Sequence, residues 1–269
     1  FALREFLNAA GSEARIIAKI EDQAGVLNMV EITRAADGIM VARGDLGIEV
    51  EFHTLPLVQA ELVRTCHAEG KPVIIATHLL ESMISSPMPT RAEISDVSHA
   101  VREQADAIML SGETTTGRYP LESVKVLKDI AQSIEPTVHT DLNSHLRLSE
   151  PKAKMLRAAA SLARDLENSG IVVFTRSGDL AYSLAGLRPH GTPIYAFTDV
   201  EKVFRQLLLP WGVEPFLIAL SDDPEQTILD ALGDLKTKGW VEPGRWLVVI
   251  TNVLAGDKII DSLQLRHVD

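Results

Sequence analysis

The chain has 269 residues, 46% hydrophobic and 23% charged, with a formal net charge of -11. That composition belongs to a globular protein with room for one or two domains, and it excludes a nucleic-acid surface or a basic membrane patch as the organising feature. The one cysteine, Cys66, excludes an internal disulfide and suits a reducing cytoplasm.

No apolar run reaches the ~18–20 residues of a membrane-spanning helix, so no membrane partner is expected. Residues 1–8 read as an amphipathic helix rather than a leader. With no initiator Met, that start implies a chain beginning partway through a larger protein. Four short runs follow, over residues 15–20, 38–42, 72–77 and 107–110. Each is rich in Ile, Val or Met and bounded by polar residues or Gly, the pattern of buried parallel strands. Helices are expected between them over 26–34, 57–69, 93–103 and 121–134. Gly70 and Pro72 close the second helix, Thr90 and Glu93 form a capping box before the third, and Pro120 opens the fourth. Strand ends recur at about 30 residues, one strand-plus-helix unit. Polar residues close every strand: Lys19 with Glu21, Asp45, Thr77, then Ser111 with Glu113. An open sheet gathers its functional groups at one switch point. Groups at every successive strand end favour half of an eight-fold (β/α)8 barrel over residues 1–135.

Residues 136–150 lose the periodicity and read as a linker. A second αβ block covers 151–269. Helices are expected at 153–168, 180–187, 200–208 and 224–238. Strands are expected at 170–175, 193–198, 213–219 and 245–251, with an edge strand at 261–267. The fold class is therefore α/β: half of a TIM-type barrel, then a three-layer αβα domain.

Lys19 and Glu21 stand two apart on a strand, so both face the same side. Read alone, they are an ion pair just past the strand end. With Asp45 on the next strand, two carboxylates meet at the barrel mouth, a donor set that suits Mg²⁺ (or Mn²⁺) sharing substrate phosphate oxygens. Lys19 beside them is placed to neutralise a transferring phosphoryl group. Gly44 permits close approach of backbone to an anion, and Thr77 adds a hydroxyl. The eight His residues show no metal-ligand spacing.

The stretches Ile16-Ile-Ala-Lys-Ile-Glu21, Met40-Val-Ala-Arg-Gly-Asp-Leu-Gly47, Ala76-Thr77 with Leu80-Glu-Ser-Met83, Pro89-Thr-Arg-Ala-Glu93 with Ser95-Asp-Val97, and Ile108-Met-Leu-Ser-Gly-Glu-Thr114 closely resemble the pyruvate kinase family in order and spacing. The resemblance implies transfer of the phosphoryl group of phosphoenolpyruvate to ADP, giving pyruvate and ATP. It implies Lys19 and Thr77 as catalytic residues, with Lys19, Gly44, Asp45 and Thr77 holding substrate and Glu21 and Asp45 ligating the metal. It further implies a potassium requirement, whose site is not in this chain, a homotetramer, and allosteric control in the cytoplasm. Asp22, Ala24 and His78-Leu79 depart from the family pattern beside the site, which implies tuning rather than loss. Nothing resembles the family's first four barrel strands or its lid, so a missing amino-terminal half is expected. Thr175, Arg176, Ser177 and Gly178 resemble the loop that grips a sugar-phosphate activator. Asp179 and the 255–260 segment depart from that pattern, so a weakened or different effector site is expected. Two alternatives remain: a non-catalytic regulatory or assembly module, and another barrel enzyme handling phosphoenolpyruvate or pyruvate.

Overall fold

The computed structural model describes residues 1–138, 150–166, 168–221, 223–255 and 258–269. The chain divides into two compact units, Phe1–His139 and Thr140–Asp269. Most of the linker expected over 136–150 lies outside the described residues, as do residues 256–257 of the 255–260 segment.

The first unit runs α1 (Ala2–Ala9), β1 (Ile17–Ile20), α2 (Gln23–Leu27), α3 (Met29–Ala35), β2 (Gly38–Ala42), α4 (Arg43–Glu49), α5 (Leu55–Ala68), β3 (Val73–Ala76), α6 (Arg91–Arg102), β4 (Ala107–Met109), α7 (Gly112–Thr115) and α8 (Pro120–Ile134). Its four strands are parallel and lie in chain order, β1-β2-β3-β4. Each βα unit thus adds its strand to the same growing edge, as half of a barrel requires. Alternation sorts the strand residues. Ile20, Ile39, Val41, Val73 and Ile75 join Leu62, Val63, Val97 and Ala100 of α5 and α6 in one core. Lys19, Met40 and Ile74 are register partners across the sheet and stand outside that core. The opposite face of the sheet therefore carries Lys19.

Two expectations needed revision. The helix expected over 26–34 is two helices. Asp22 caps α2 through the Gly25 N–H at 2.7 Å, and the Asn28 amide bonds the Ala24 carbonyl at 2.8 Å, so a side chain competes for the helix's own acceptor at the break. The helix α4 was not foreseen, because Gly44 and Gly47 argue against a helix locally. Burial of Leu46 in the core overrides that propensity. The capping box at α6 forms as expected, and Gly70 takes φ +63 after α5.

The second unit runs α9 (Pro151–Asp165), β5 (Gly170–Phe174), α10 (Asp179–Gly186), β6 (Ile194–Thr198), α11 (Glu201–Gln206), β7 (Val213–Leu217), α12 (Pro224–Thr237), β8 (Trp246–Ala255) and β9 (Lys258–His267). The sheet order is β7-β6-β5-β8-β9. Only β9 runs antiparallel, and it is the edge strand that alternation suggested. The chain winds outward from β5 and then returns to its other side at β8, so the sheet has a switch point between them. Alternate residues feed two cores. Ile171, Val173, Val248 and Ile250 pack with α9 and α10. Val172, Phe197, Phe216 and Val249 pack with Ile228, Ala231 and Leu235 of α12. The unit is a three-layer αβα sandwich.

Candidate active site

Lys19 sits near the end of β1, Glu21 one residue past that end, and Asp45 in the first turn of α4, directly after β2. The parallel register sets the ends of β1 and β2 side by side, with Ile20 opposite Val41. The Lys19 Nζ donates to Glu21 Oε2 and, at 2.8 Å, to Asp45 Oδ2. All three side chains are about half exposed. The hydrogen bond to Asp45, then that to Glu21, hold the Lys19 ammonium above its ordinary pKa. The bond from Lys19 and its charge hold the Asp45 carboxyl below its ordinary pKa. The ion pair read from Lys19 and Glu21 alone is thus present, with Asp45 as its third member.

Two carboxylates already converge on one cation, the ammonium, so the same oxygens can share a divalent ion. Among the described residues no group of three or more His, Cys, Asp or Glu is arranged to hold a metal. Two carboxylates, with water and substrate oxygens completing an octahedron, would suit Mg²⁺ better than a metal needing an all-protein cage.

Thr77 directly follows β3. Its backbone takes φ +66 and that of His78 φ +53, left-handed positions where glycine is usual. The turn holds the Thr77 Oγ1 so that it donates to the Ala76 carbonyl at 2.7 Å and accepts from the Gly44 N–H at 2.8 Å. A Cβ on Gly44 would stand 3.2 Å from the His78 ring and 3.3 Å from Thr77 Oγ1, so any larger residue there would make these neighbours shift by a few tenths of an ångström. Gly44 and Thr77 are brought together as the sequence suggested, but the Gly44 amide is already engaged by the hydroxyl.

Glu113 stands apart from the acids at the site. It is buried, and it accepts from the Leu80 N–H at 3.2 Å and the Ser111 N–H at 2.7 Å, tying two strand-end loops together. Sequence reasoning missed Arg43. Its guanidinium is buried, pairs with Asp96 of α6 and donates to the His78 carbonyl at 3.1 Å. The only signal was an arginine in an otherwise apolar run before Gly-Asp.

In the second unit, Gly178 takes φ +87 at the start of α10, and its N–H donates to Thr175 Oγ1 at 2.9 Å. The Arg176 Nε reaches both carboxylate oxygens of Asp199, at 3.0 and 3.2 Å. The Asp179 N–H donates to Ser177 Oγ at 3.3 Å. A cavity of about 410 Å³ opens beside this loop, lined by Thr175, Arg176, Ser221, Thr227 and Thr251 among others. Thr175 and Thr251 belong to the β5 and β8 sides of the switch point.

Comparison with known proteins adds to this geometry. The family model described as "Pyruvate kinase, barrel domain" matches residues 1–124, and that described as "Pyruvate kinase, alpha/beta domain" matches residues 153–262. The chain is 41% identical over 251 residues to "Pyruvate kinase isozyme G, chloroplastic" of Nicotiana tabacum, covering 92% of this chain and 44% of that protein. It is 40% identical over 272 residues to "Plastidial pyruvate kinase 2" of Arabidopsis thaliana, covering 99% and 47%. It is 39% identical over 257 residues to "Pyruvate kinase" of Clostridium acetobutylicum, covering 94% and 54%. The chain thus spans about half the length of these relatives. No helix among the described residues is long and apolar enough to cross a membrane.

Proposed function

Because the chain belongs to the pyruvate kinase family, we propose that it carries the metal- and phosphate-handling part of a site that transfers the phosphoryl group of phosphoenolpyruvate to ADP. The observation that carries this reading is the convergence of Lys19, Glu21 and Asp45 at the ends of two neighbouring strands. Glu21 and Asp45 would hold Mg²⁺ or Mn²⁺, which when bound supplies positive charge to phosphate oxygens. The Lys19 ammonium lies against the same pair and neutralises charge building on the transferring group, on a rigid strand that needs no rearrangement to aim it. The backbone amides of Gly44 and Asp45 would receive the substrate carboxylate, with Thr77 Oγ1 sharing the Gly44 donor. After transfer, the enolate needs a proton at carbon, and the Thr77 hydroxyl or its water stands on the correct strand end to pass one.

The potassium requirement, the homotetramer and the cytoplasmic location belong to the same proposal. They rest on the family and on the lone cysteine, and no residue of this chain is assigned to potassium. The loop at 175–178 is proposed as an effector site of altered preference. A cavity at a switch point is where doubly wound sheets take ligands, but Arg176 is already engaged by Asp199.

The test is pyruvate formation from phosphoenolpyruvate and ADP by the protein in its full native context, with and without Mg²⁺. Activity that needs the metal and falls on the order of 10²–10³-fold in Lys19→Met supports the reading. Unchanged turnover in that variant removes Lys19 from the chemistry.

A further inference from the structure

Arg43 is only 8% exposed, yet two of its donor nitrogens, Nε and Nη1, find no hydrogen-bond partner. Burying a guanidinium with unused donors is costly, and an exposed ion pair would avoid the cost. The Nη2 group shows what the burial achieves. It joins the Asp96 carboxylate of α6 to the carbonyl of His78. His78 and Thr77 form the left-handed turn that follows β3. Two other acids hold the neighbouring loop by its amides: Glu113 takes the Leu80 N–H and Glu93 the Ser82 N–H. Neither reaches the turn itself. Among the described residues, Arg43 supplies the side-chain hydrogen bond that the structure gives to the His78 backbone. Arg43 also directly precedes Gly44 and Asp45, so one residue ties both halves of the Gly44–Thr77 contact.

We propose that Arg43 is a positioning residue: bridging Asp96 and the His78 carbonyl, it keeps the Thr77–His78 turn left-handed and holds Thr77 Oγ1 against the Gly44 amide. The inference rests on the proposed active site for its catalytic meaning, although its geometric content stands without it. Both bonds leave from one nitrogen, Nη2, whose two hydrogens lie in the fixed plane of the guanidinium. A lysine keeps the charge but carries it on a shorter, non-planar head that is not held in that plane.

The test is amide hydrogen exchange in Arg43→Met and Arg43→Lys, with kinetics of the complete enzyme beside it. The Gly44 N–H is the direct reporter, because Thr77 Oγ1 is its acceptor. We expect its exchange to quicken about tenfold or more in both variants while the strand amides of Val41 and Ile75 stay protected. If Arg43→Met also loosens the strands, Arg43→Lys decides, because it preserves a cation in the same pocket. Unchanged Gly44 protection in a variant with intact strands overturns the proposal. In the active enzyme, Arg43→Lys lowers kcat about tenfold or more and leaves KM for ADP in place. A fall in kcat matched by a rise in that KM would mean general damage instead. Faster Gly44 exchange in a protein that makes no pyruvate keeps the positioning role and rejects the function. Unchanged Gly44 exchange in an active enzyme does the reverse.

Discussion

Gly44 is where a single atom matters most. Its missing Cβ leaves room for the His78 ring and the Thr77 hydroxyl, both of which would otherwise lie within 3.4 Å. Gly44→Ala should therefore crowd the His78 ring and the Thr77 hydroxyl, with little net change in stability because alanine also favours helix α4 by about 1 kcal/mol. If the proposed site is correct, it should also raise KM for phosphoenolpyruvate about tenfold. Thermal unfolding and steady-state kinetics read the two effects separately. At this scale the meeting of Lys19, Glu21 and Asp45, and that of Gly44 and Thr77, were legible because these residues stand at or just past the ends of neighbouring apolar strands. Arg43 was not, because its partner Asp96 lies 53 residues away. Nor was the left-handed backbone of Thr77 and His78, which no local glycine announces.

Among elements, α6 is the most heavily anchored at its start. The Thr90 hydroxyl and N–H both donate to Glu93 Oε2, and Glu93 also accepts from the Ser82 N–H at 2.7 Å and the Ser82 hydroxyl at 2.6 Å. Burial opposes the charge on Glu93, but the bonds from Ser82 and Thr90 prevail and leave its pKa below the ordinary value. The sign follows from proton binding: the unfolded chain takes up the proton first as pH falls. The bonds therefore stabilise the fold above the unfolded carboxylate value of about 4.3, and that contribution disappears as pH drops through the lower folded value. Glu93→Gln should cost about 1 kcal/mol at pH 7, allowing for partial exposure, and the difference from the parent should vanish in acid. Urea unfolding at a series of pH values checks this. A deficit that persists below the folded value would mean that packing, not the carboxylate, is responsible. The cap of α6 and the strands β2 and β3 could be read from sequence because their signals are local. The break at Asn28 and the helix α4 could not, because a side-chain competitor in one and a buried leucine in the other outweigh propensity.

Across the whole molecule, the two sheets follow different rules. Unit spacing and polar strand ends made the sequential order of the first legible. The winding of the second was open to several orders until the β5–β8 pairing fixed it. That pairing creates the cavity beside Thr175 and Arg176, where the Arg176–Asp199 ion pair reduces the charge available to an anion. The complete enzyme should respond little to fructose bisphosphate. Asp199→Asn should release Arg176 and tighten any such response about fivefold, the scale of one exposed ion pair. A strong response in the parent, lost in Thr175→Ala or Ser177→Ala, would contradict the altered preference.

The faces of the two sheets carry a last consequence. The second sheet is clothed on both sides, by α9 and α10 over one core and α12 over the other. In the first, β1 and β4 are edge strands of the described sheet, and Ile17 on β1 is 43% exposed. Excised as separate polypeptides, the two should part ways. Residues 150–269 should remain monomeric and melt in one sharp step, whereas residues 1–138 should cling to one another through the open edges of β1 and β4 and sediment as aggregates. Autonomy, in this chain, resides in its later half.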